Sequence, residues 1–317
     1  MILILSSYTD FSTYEVQRWL DKMNTPYIRL NSCNDYKLDI NMTESCIITK
    51  KGKILLSDIK CVWYRRKEMT KVLSSSPENY QFINDININL LSEEGTAYSS
   101  LLSNLKHAFW LNSPKTSSIN KFEVLVEANT LGIKIPETII SNDYDSIKEF
   151  ITKHKRVITK NVKDVRNIIL DDRYFTSFVN IVDNKDFDNI DKSIKILPSL
   201  FQNYIEKKME IRTVFVNNQF FSMAMFSQSA AQTSVDFRRY DLDKPTRKIS
   251  FNLSAQYEYK LRKLFEKVNL NSGSIDTIIG EDNEHIFLEI NPIGQFGMTS
   301  MPCNYNLEKQ FAQHLML

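Results

Sequence analysis

The chain opens on four consecutive apolar residues, Ile-Leu-Ile-Leu, and residues 2–6 are predicted as a short strand buried on both faces. Val16, Trp19 and Leu20 fall on one face of Tyr14–Met23 and predict an amphipathic helix, with a strand following at Tyr27–Leu30. Ser45–Thr49 and Lys53–Leu56 flank Lys50-Lys51-Gly52 as a hairpin, and Lys60–Tyr64 reads as a further strand. From Pro77 to about Trp110 apolar residues recur at helical spacing with Gly95 as the one breaker, which predicts one long helix or two shorter ones. Asn112-Ser113-Pro114 ends that stretch.

The pattern then changes. A helix over 117–130 stops at Leu131-Gly132, and Ile135-Pro136-Glu137-Thr138 opens an extended segment. Strand-like runs recur at Val157–Lys160, Phe175–Val179, Phe201–Ile205, Ile211–Val216 and Phe220–Phe226, the last two joined by Asn217-Asn218. A helix over 254–268 precedes a final hairpin, Ser274–Ile279 with Ile286–Ile290, and a short C-terminal helix. The first half therefore reads as a small α/β unit and the second as mostly antiparallel sheet.

Composition narrows the class. With 317 residues, 42% of them hydrophobic and 25% charged, the chain can bury a sizeable core divided among two or three subdomains. Forty basic against 38 acidic residues leave a net charge of +2, too small for a dedicated nucleic-acid surface. Cys33, Cys46, Cys61 and Cys303 lack CxxC spacing, which disfavours a zinc site or redox pair. No apolar run reaches the roughly 20 residues of a membrane span, and the N-terminus lacks a basic segment and cleavage site, so the expected location is the cytoplasm.

The most informative stretch is IDTIIGEDNEHIFLEINP. A four-residue loop, Glu281–Glu284, would pair Gly280 with His285 and set Asp276 opposite Glu289. Like charges directly across an antiparallel pair are destabilising, and Asn291 lies two residues on, on the same face. A hard cation between them would remove the conflict, and oxygen ligands from Asp, Glu and Asn suit Mg²⁺. An exposed hairpin edge with solvated acids is the alternative.

An Asp on one strand followed by E-x-N-P at the end of the next resembles the metal-binding hairpin of ATP-grasp ligases. Other stretches resemble that family in the same chain order. Lys121 precedes Gly132-Ile133-Lys134-Ile135-Pro136-Glu137-Thr138, and Lys160 ends the run Val157-Ile158-Thr159-Lys160. Gln202-Asn203-Tyr204-Ile205 is similar to the hinge strand, and Glu210-Ile211-Arg212 to the acid-x-Arg step after it. Val62-Trp63-Tyr64-Arg65-Arg66 and Asp236-Phe237-Arg238-Arg239-Tyr240-Asp241 resemble the microviridin-type, or graspetide, peptide ligases, nearest to the grasp-with-spasm maturases. Phosphate-binding alternatives fail, since the chain has neither a P-loop motif nor G-x-G-x-x-G, and holds only 7 glycines.

The resemblance implies an α/β ATP-grasp fold: an N-terminal pre-ATP-grasp domain over 1–113, a central subdomain over 114–200, and a C-terminal antiparallel-sheet subdomain over 201–317. It implies ATP and Mg²⁺ as cofactors. Lys121 and Lys160 would contact phosphates, backbone groups of residues 202–205 the adenine edge, and Glu210 the ribose. Asp276, Glu289 and Asn291 would hold Mg²⁺, while Arg212, Arg238 and Arg239 would serve the transferred phosphate and the substrate carboxylate. His285 is expected in an exposed loop. The implied partner is a ribosomal precursor peptide, leader plus core, with no nucleic acid or membrane, and a homodimer is left open. Its Asp or Glu carboxyls would be activated as acyl phosphates and joined to Thr or Ser hydroxyls or Lys amines. Two other readings share the ATP residues: an amide-forming amino-acid ligase acting on a protein tail, and a catalytically silent nucleotide-gated peptide-binding module.

Overall fold

The computed structural model describes residues 1–32, 35–66, 80–162, 168–170, 173–175, 179–188, 190–191, 194–229 and 245–317. The chain divides into two compact units, one of residues Met1–Ser117 with Asn306–Leu317 and one of Ser118–Tyr305.

The first unit runs β1 (Ile2–Leu5), α1 (Phe11–Lys22), β2 (Tyr27–Leu30), β3 (Lys37–Asp39), β4 (Cys46–Thr49), β5 (Gly52–Leu55), β6 (Cys61–Tyr64), α2 (Tyr80–Ser103) and β7 (Phe109–Leu111). A parallel sheet of order β2-β1-β6-β7 is its centre, and β3-β4-β5 form a separate antiparallel sheet. Both faces of a parallel sheet must be covered. Leu3, Leu5 and Val62 pack with Leu101 and Leu105, while Trp63 turns the other way and stacks on Phe311 at 5.7 Å. The helix predicted to run to Trp110 ends at Ser103 instead, because Trp110 belongs to β7, whose backbone completes the sheet beside β6. Cys46, Cys61 and Cys303 are free thiols, and burial pushes Cys61 up to about 12; Cys33 lies outside the described residues.

The second unit runs α3 (Lys121–Thr130), β8 (Thr138–Ser141), α4 (Tyr144–His154), β9 (Arg156–Lys160), β10 (Ile168–Leu170), β11 (Arg173–Phe175), β12 (Asn180–Asp183), α5 (Asn184–Asp188), β13 (Ser199–Asn203), β14 (Lys207–Val216), β15 (Gln219–Met225), β16 (Lys248–Phe251), α6 (Ala255–Lys267), β17 (Gly273–Gly280), β18 (His285–Asn291) and α7 (Gly297–Cys303). Then α8 (Leu307–Leu315) belongs to the first unit. The second unit holds a four-stranded sheet, β12-β9-β13-β8, and a five-stranded one, β16-β15-β14-β17-β18, antiparallel throughout. Asn217 and Asn218 both take positive φ, 50° and 59°, as a two-residue hairpin turn requires. The strand expected at Phe175–Val179 lies largely outside the described residues. A division at 200/201 falls inside β13, which runs on to Asn203. Helix α4 was not anticipated, although Ile147, Phe150 and Ile151 share a face and pack with Val157 and Phe201. No helix among the described residues is long and apolar enough to cross a membrane.

Candidate active site

Strand β14 sets the site. Phe215, Ile275, Phe287 and Ile290 turn to one face of the five-stranded sheet and pack with Val124, Leu125, Leu261 and Phe265 of α3 and α6. Arg212, Asp276, Glu289 and Asn291 turn to the other. Arg212 is opposite Asp276 across β14 and β17, Asp276 opposite Glu289 across β17 and β18, and Ser274 opposite Asn291. One Arg212 terminal nitrogen donates to both Asp276 oxygens, at 2.7 and 2.6 Å. Asn291 Nδ2 donates to Asp276 Oδ2 at 3.1 Å and to Glu289 Oε1 at 3.2 Å.

The predicted Asp276–Glu289 pair is present, but the register near the turn is different. Ile279, not Gly280, faces His285, and a β-bulge between Asp276 and Thr277 on the β17 ladder restores the offset. The bulge reverses parity along β18, so that Phe287 and Ile290, three apart, both reach the core. Without it Glu289 would point into that core. His285 is not an exposed loop residue: it begins β18, half-buried, 4.5 Å from the Tyr257 ring, and burial lowers its pKa.

Two lysines close on the same carboxylate. Asn120 caps α3, its side chain accepting from Phe122 N at 3.0 Å, so Lys121 opens the helix. Its Nζ lies 3.0 Å from Glu289 Oε2, and that of Lys160, at the end of β9, lies 3.9 Å away. Burial would raise the Glu289 carboxyl, but Lys160 and Lys121, with the Asn291 amide, outweigh it and hold it at about 2. Asp276 moves up through burial, Arg212 opposing and Glu289 adding to the rise. Among the described residues, three cations (Arg212, Lys121, Lys160) face the two carboxylates Asp276 and Glu289, an arrangement suited to receive an anion.

Glu210 lies two residues before Arg212 on the same strand face. Lys207 Nζ at 2.9 Å and Ser227 Oγ at 2.6 Å both donate to its Oε1, and burial raises its pKa against their pull. Residues three apart on a regular strand face opposite ways; a bulge between Lys207 and Met209 brings Lys207 round to Glu210. Neither Lys207 nor Ser227 was flagged by the sequence, because a bulge has no hydrophobic signature. In the hinge, the Asn203 and Tyr204 amides donate to the Glu137 and Arg156 carbonyls at 3.1 and 3.0 Å, and Ile205 lies just past the strand. Gln202 is fully buried, its Nε2 donating to Thr138 Oγ1 at 2.9 Å. Arg238 and Arg239 lie outside the described residues.

Among the described residues no cluster of three His, Cys, Asp or Glu exists that could hold a metal ion. A cation here would have two carboxylates and one amide, and the rest of its shell would come from water or phosphate, as Mg²⁺ prefers. Asn291 would rotate its amide by half a turn to offer oxygen instead of nitrogen. The donor set fits a hard cation.

A RimK-like ATP-grasp domain model matches residues 116–315. The chain belongs to that family. An MvdD pre-ATP-grasp domain model matches residues 1–118. This RimK-like ATP-grasp chain is similar throughout to the macrocyclase MdnC of Microcystis aeruginosa MRC, solved with its precursor peptide MdnA: 25% identity, 99% of each chain covered, TM-score 0.83. It is similar also to a Chryseobacterium gregarium RiPP-associated ATP-grasp ligase solved with ADP and a leader and core peptide, at 25% identity over 99% of this chain and 96% of that one, TM-score 0.82. The ligase PsnB, solved with minimal precursor, Mg and ADP, shares the fold at 16% identity and TM-score 0.77, over 99% of this chain and 97% of that one. No curated protein matches the chain by sequence. The ATP-grasp family uses ATP and Mg²⁺, so the expected fold, family and cofactor class agree with these likenesses.

Gly294 positions the end of this site. Its N–H donates to Asn291 O at 3.1 Å, and a Cβ there would overlap Ser274 Oγ and stand 2.5 Å from Ser274 Cβ, the residue opposite Asn291. Gly294→Ala should therefore cost about 1–3 kcal/mol by overpacking and displace Asn291. Thermal denaturation should show the loss, and Ser274→Gly in the same chain should recover most of it. A single variant as stable as the parent would mean the loop moves aside freely.

Proposed function

We propose that this chain is an ATP-dependent peptide ligase that activates Asp or Glu side-chain carboxyls of a ribosomal precursor peptide and joins them to Thr or Ser hydroxyls, or Lys amines, of the same peptide. The observation that carries the reading is the cross-strand row Arg212–Asp276–Glu289, closed by Asn291 and reached by Lys121 and Lys160. Asp276, Glu289 and Asn291 would hold Mg²⁺. Lys121, Lys160 and Arg212 would bind phosphate oxygens and stabilise the charge that develops on them, fixed in place before reaction. Arg238 and Arg239 would orient the substrate carboxylate, and Glu210 the ribose. When bound, the nucleotide supplies the phosphoryl group that makes a carboxylate an acyl phosphate, from which an attacking hydroxyl releases inorganic phosphate. The pre-ATP-grasp portion, 1–113, would serve the peptide, and the portions 114–200 and 201–317 the nucleotide.

The test is incubation with a precursor, ATP and Mg²⁺, followed by mass spectrometry and measurement of ADP. Intramolecular cyclisation removes one water per bond, whereas an amino-acid ligase adds a residue mass and a silent binding module changes nothing. ADP that never forms under any peptide condition, together with unchanged peptide mass, would sink the ligase reading.

A further inference from the structure

Strands β1, β2 and β6 of the first unit end together, with Leu5 beside Leu30 on one side and beside Tyr64 on the other. The chain leaves β1 to form β2 and later returns to the opposite side of β1 as β6. Open parallel sheets take their ligands outside the carboxyl ends of the strands, at the point where the strand order reverses in this way. A shallow hollow lies there, lined by Leu5, Ser6, Leu30, Asn31, Tyr36 and Arg66.

Beside the hollow Tyr8, Phe11 and Tyr14, spaced by three, are 49%, 66% and 45% exposed. Two links tie them to Asn31. The Tyr8 hydroxyl donates to one oxygen of Asp35, and the other accepts from the Asn31 and Ser32 amides at 2.6 and 3.2 Å. The Arg29 guanidinium lies 4.0 Å from the Tyr14 ring centre, and its Nε donates to Asn31 Oδ1 at 2.6 Å. Exposed aromatic side chains gathered at a polar rim mark a contact surface. Its charge is one-sided. Asp10 is committed to Arg65, and Asp35 to Tyr8 and two backbone amides. Arg66 is exposed and has no ion pair among the described residues. A guanidinium of this kind grips a carboxylate through paired hydrogen bonds.

We propose that this surface docks the precursor peptide, Arg66 holding one of its Asp or Glu carboxylates while Phe11, with Tyr8 and Tyr14, covers apolar side chains beside it. The inference rests on the peptide-ligase reading and adds to it the place and the chemistry of peptide capture. Arg212, Asp276 and Glu289 belong to the other unit, so this surface binds peptide and does not activate it. A second copy docked here through a two-fold contact would set Arg66 near its own counterpart, whereas an acidic peptide brings the opposite charge.

The measurement is fluorescence anisotropy of the full-length protein with two labelled synthetic peptides of Ser, Gly and Leu that differ only in carrying Glu or Gln. At low salt the parent should bind the Glu peptide about fivefold more tightly, the upper scale for an exposed ion pair. Arg66→Ala should bring the two to equal affinity. Phe11→Ser should weaken both peptides roughly fivefold and keep the Glu preference, and added salt should remove that preference while sparing the Phe11 effect. A Glu preference that survives in Arg66→Ala, or a Phe11→Ser protein that binds both peptides as the parent does, would overturn the proposal. So would an oligomer, seen by sedimentation, that Phe11→Ser breaks up with peptide affinity unchanged, since the patch is then a contact between copies. A parent that cyclises a precursor yet prefers neither peptide overturns this surface alone; one that shows the preference and never modifies a precursor removes the ligase reading and leaves the surface.

Discussion

Arg65→Ala should destabilise the first unit by about 3–5 kcal/mol, the scale for removing one partner of a buried ion pair. The Arg65 side chain is 3% exposed and that of Asp10 0%, with Nε 3.0 Å from Asp10 Oδ2 and a second guanidinium nitrogen 3.4 Å from Oδ1. Ser6 Oγ lies 3.3 Å from the same carboxylate and is itself 2.8 Å from Thr13 Oγ1. Burial raises the Asp10 carboxyl, but Arg65 and the hydrogen bonds outweigh it and hold it below its ordinary 3.8. A lowered carboxyl contributes stability that is complete above that value and is lost as the pH falls through the folded-state pKa. The destabilisation should therefore be present at neutral pH and shrink in acid. Replacing both partners, Asp10→Leu with Arg65→Met, should recover most of the loss, since no charge is then stranded. Urea denaturation at pH 7 and pH 3 measures it; a single variant within 1 kcal/mol of the parent would show that the pair contributes little.

This result separates two arginines that the sequence presents as equals. Arg65 and Arg66 stand together after Tyr64, in the run that resembles the graspetide peptide ligases. Burial divides them: Arg65 holds the sheet's carboxyl end to α1, while Arg66 is exposed and lines a shallow hollow with Leu5, Asn31 and Tyr36. Only Arg66→Ala is a clean test of a peptide role. Its stability should be unchanged, and a loss of peptide processing with normal nucleotide affinity would support that role.

What the sequence made legible follows from period and chemistry. Strands β2, β9, β14, β15, β17 and β18 and helix α6 were visible because their apolar positions repeat and their turns carry Asn or Gly. Strand β7 was not, because three residues paired inside a sheet look like the tail of the helix before them. The Asp276–Glu289 pair was read correctly from a loop register that was one residue out, since the bulge in β18 cancels the error. Bulges depend on which backbone groups pair across strands, and a single chain's residue pattern does not encode that directly. Nor could it disclose where Lys121 and Lys160 end. Their convergence on one carboxylate oxygen is tertiary, and it changes the expected behaviour of Glu289.

On sequence alone, Glu289→Gln is expected to be neutral or slightly stabilising without nucleotide, because the carboxylate faces Asp276. The structure reverses that sign. Arg212 already compensates Asp276, whereas Glu289 is the partner of Lys121 and Lys160, whose side chains are only 13% and 14% exposed. Its carboxyl is held at about 2 against an ordinary 4.5, so attraction to the lysines exceeds both burial and repulsion from Asp276. Removing the charge takes from two largely desolvated cations a carboxylate that they share, and the nucleotide-free protein should lose about 1–3 kcal/mol. Nucleotide should then change the balance. In the parent, phosphate must draw the lysines from Glu289 before that carboxylate can face a metal ion; in the variant that carboxylate no longer competes for them. Mg²⁺-free ATP should therefore bind the variant at least as tightly as the parent, while added Mg²⁺ should no longer improve binding. Peptide modification should fall roughly tenfold or more, about 1.4 kcal/mol in barrier. Thermal denaturation of both proteins with ATP, with and without Mg²⁺, reads all three effects beside a peptide assay. A variant as stable as the parent without nucleotide would mean that Asp276 repulsion dominates after all. One whose ATP binding still gains from Mg²⁺ would remove Glu289 from the metal site.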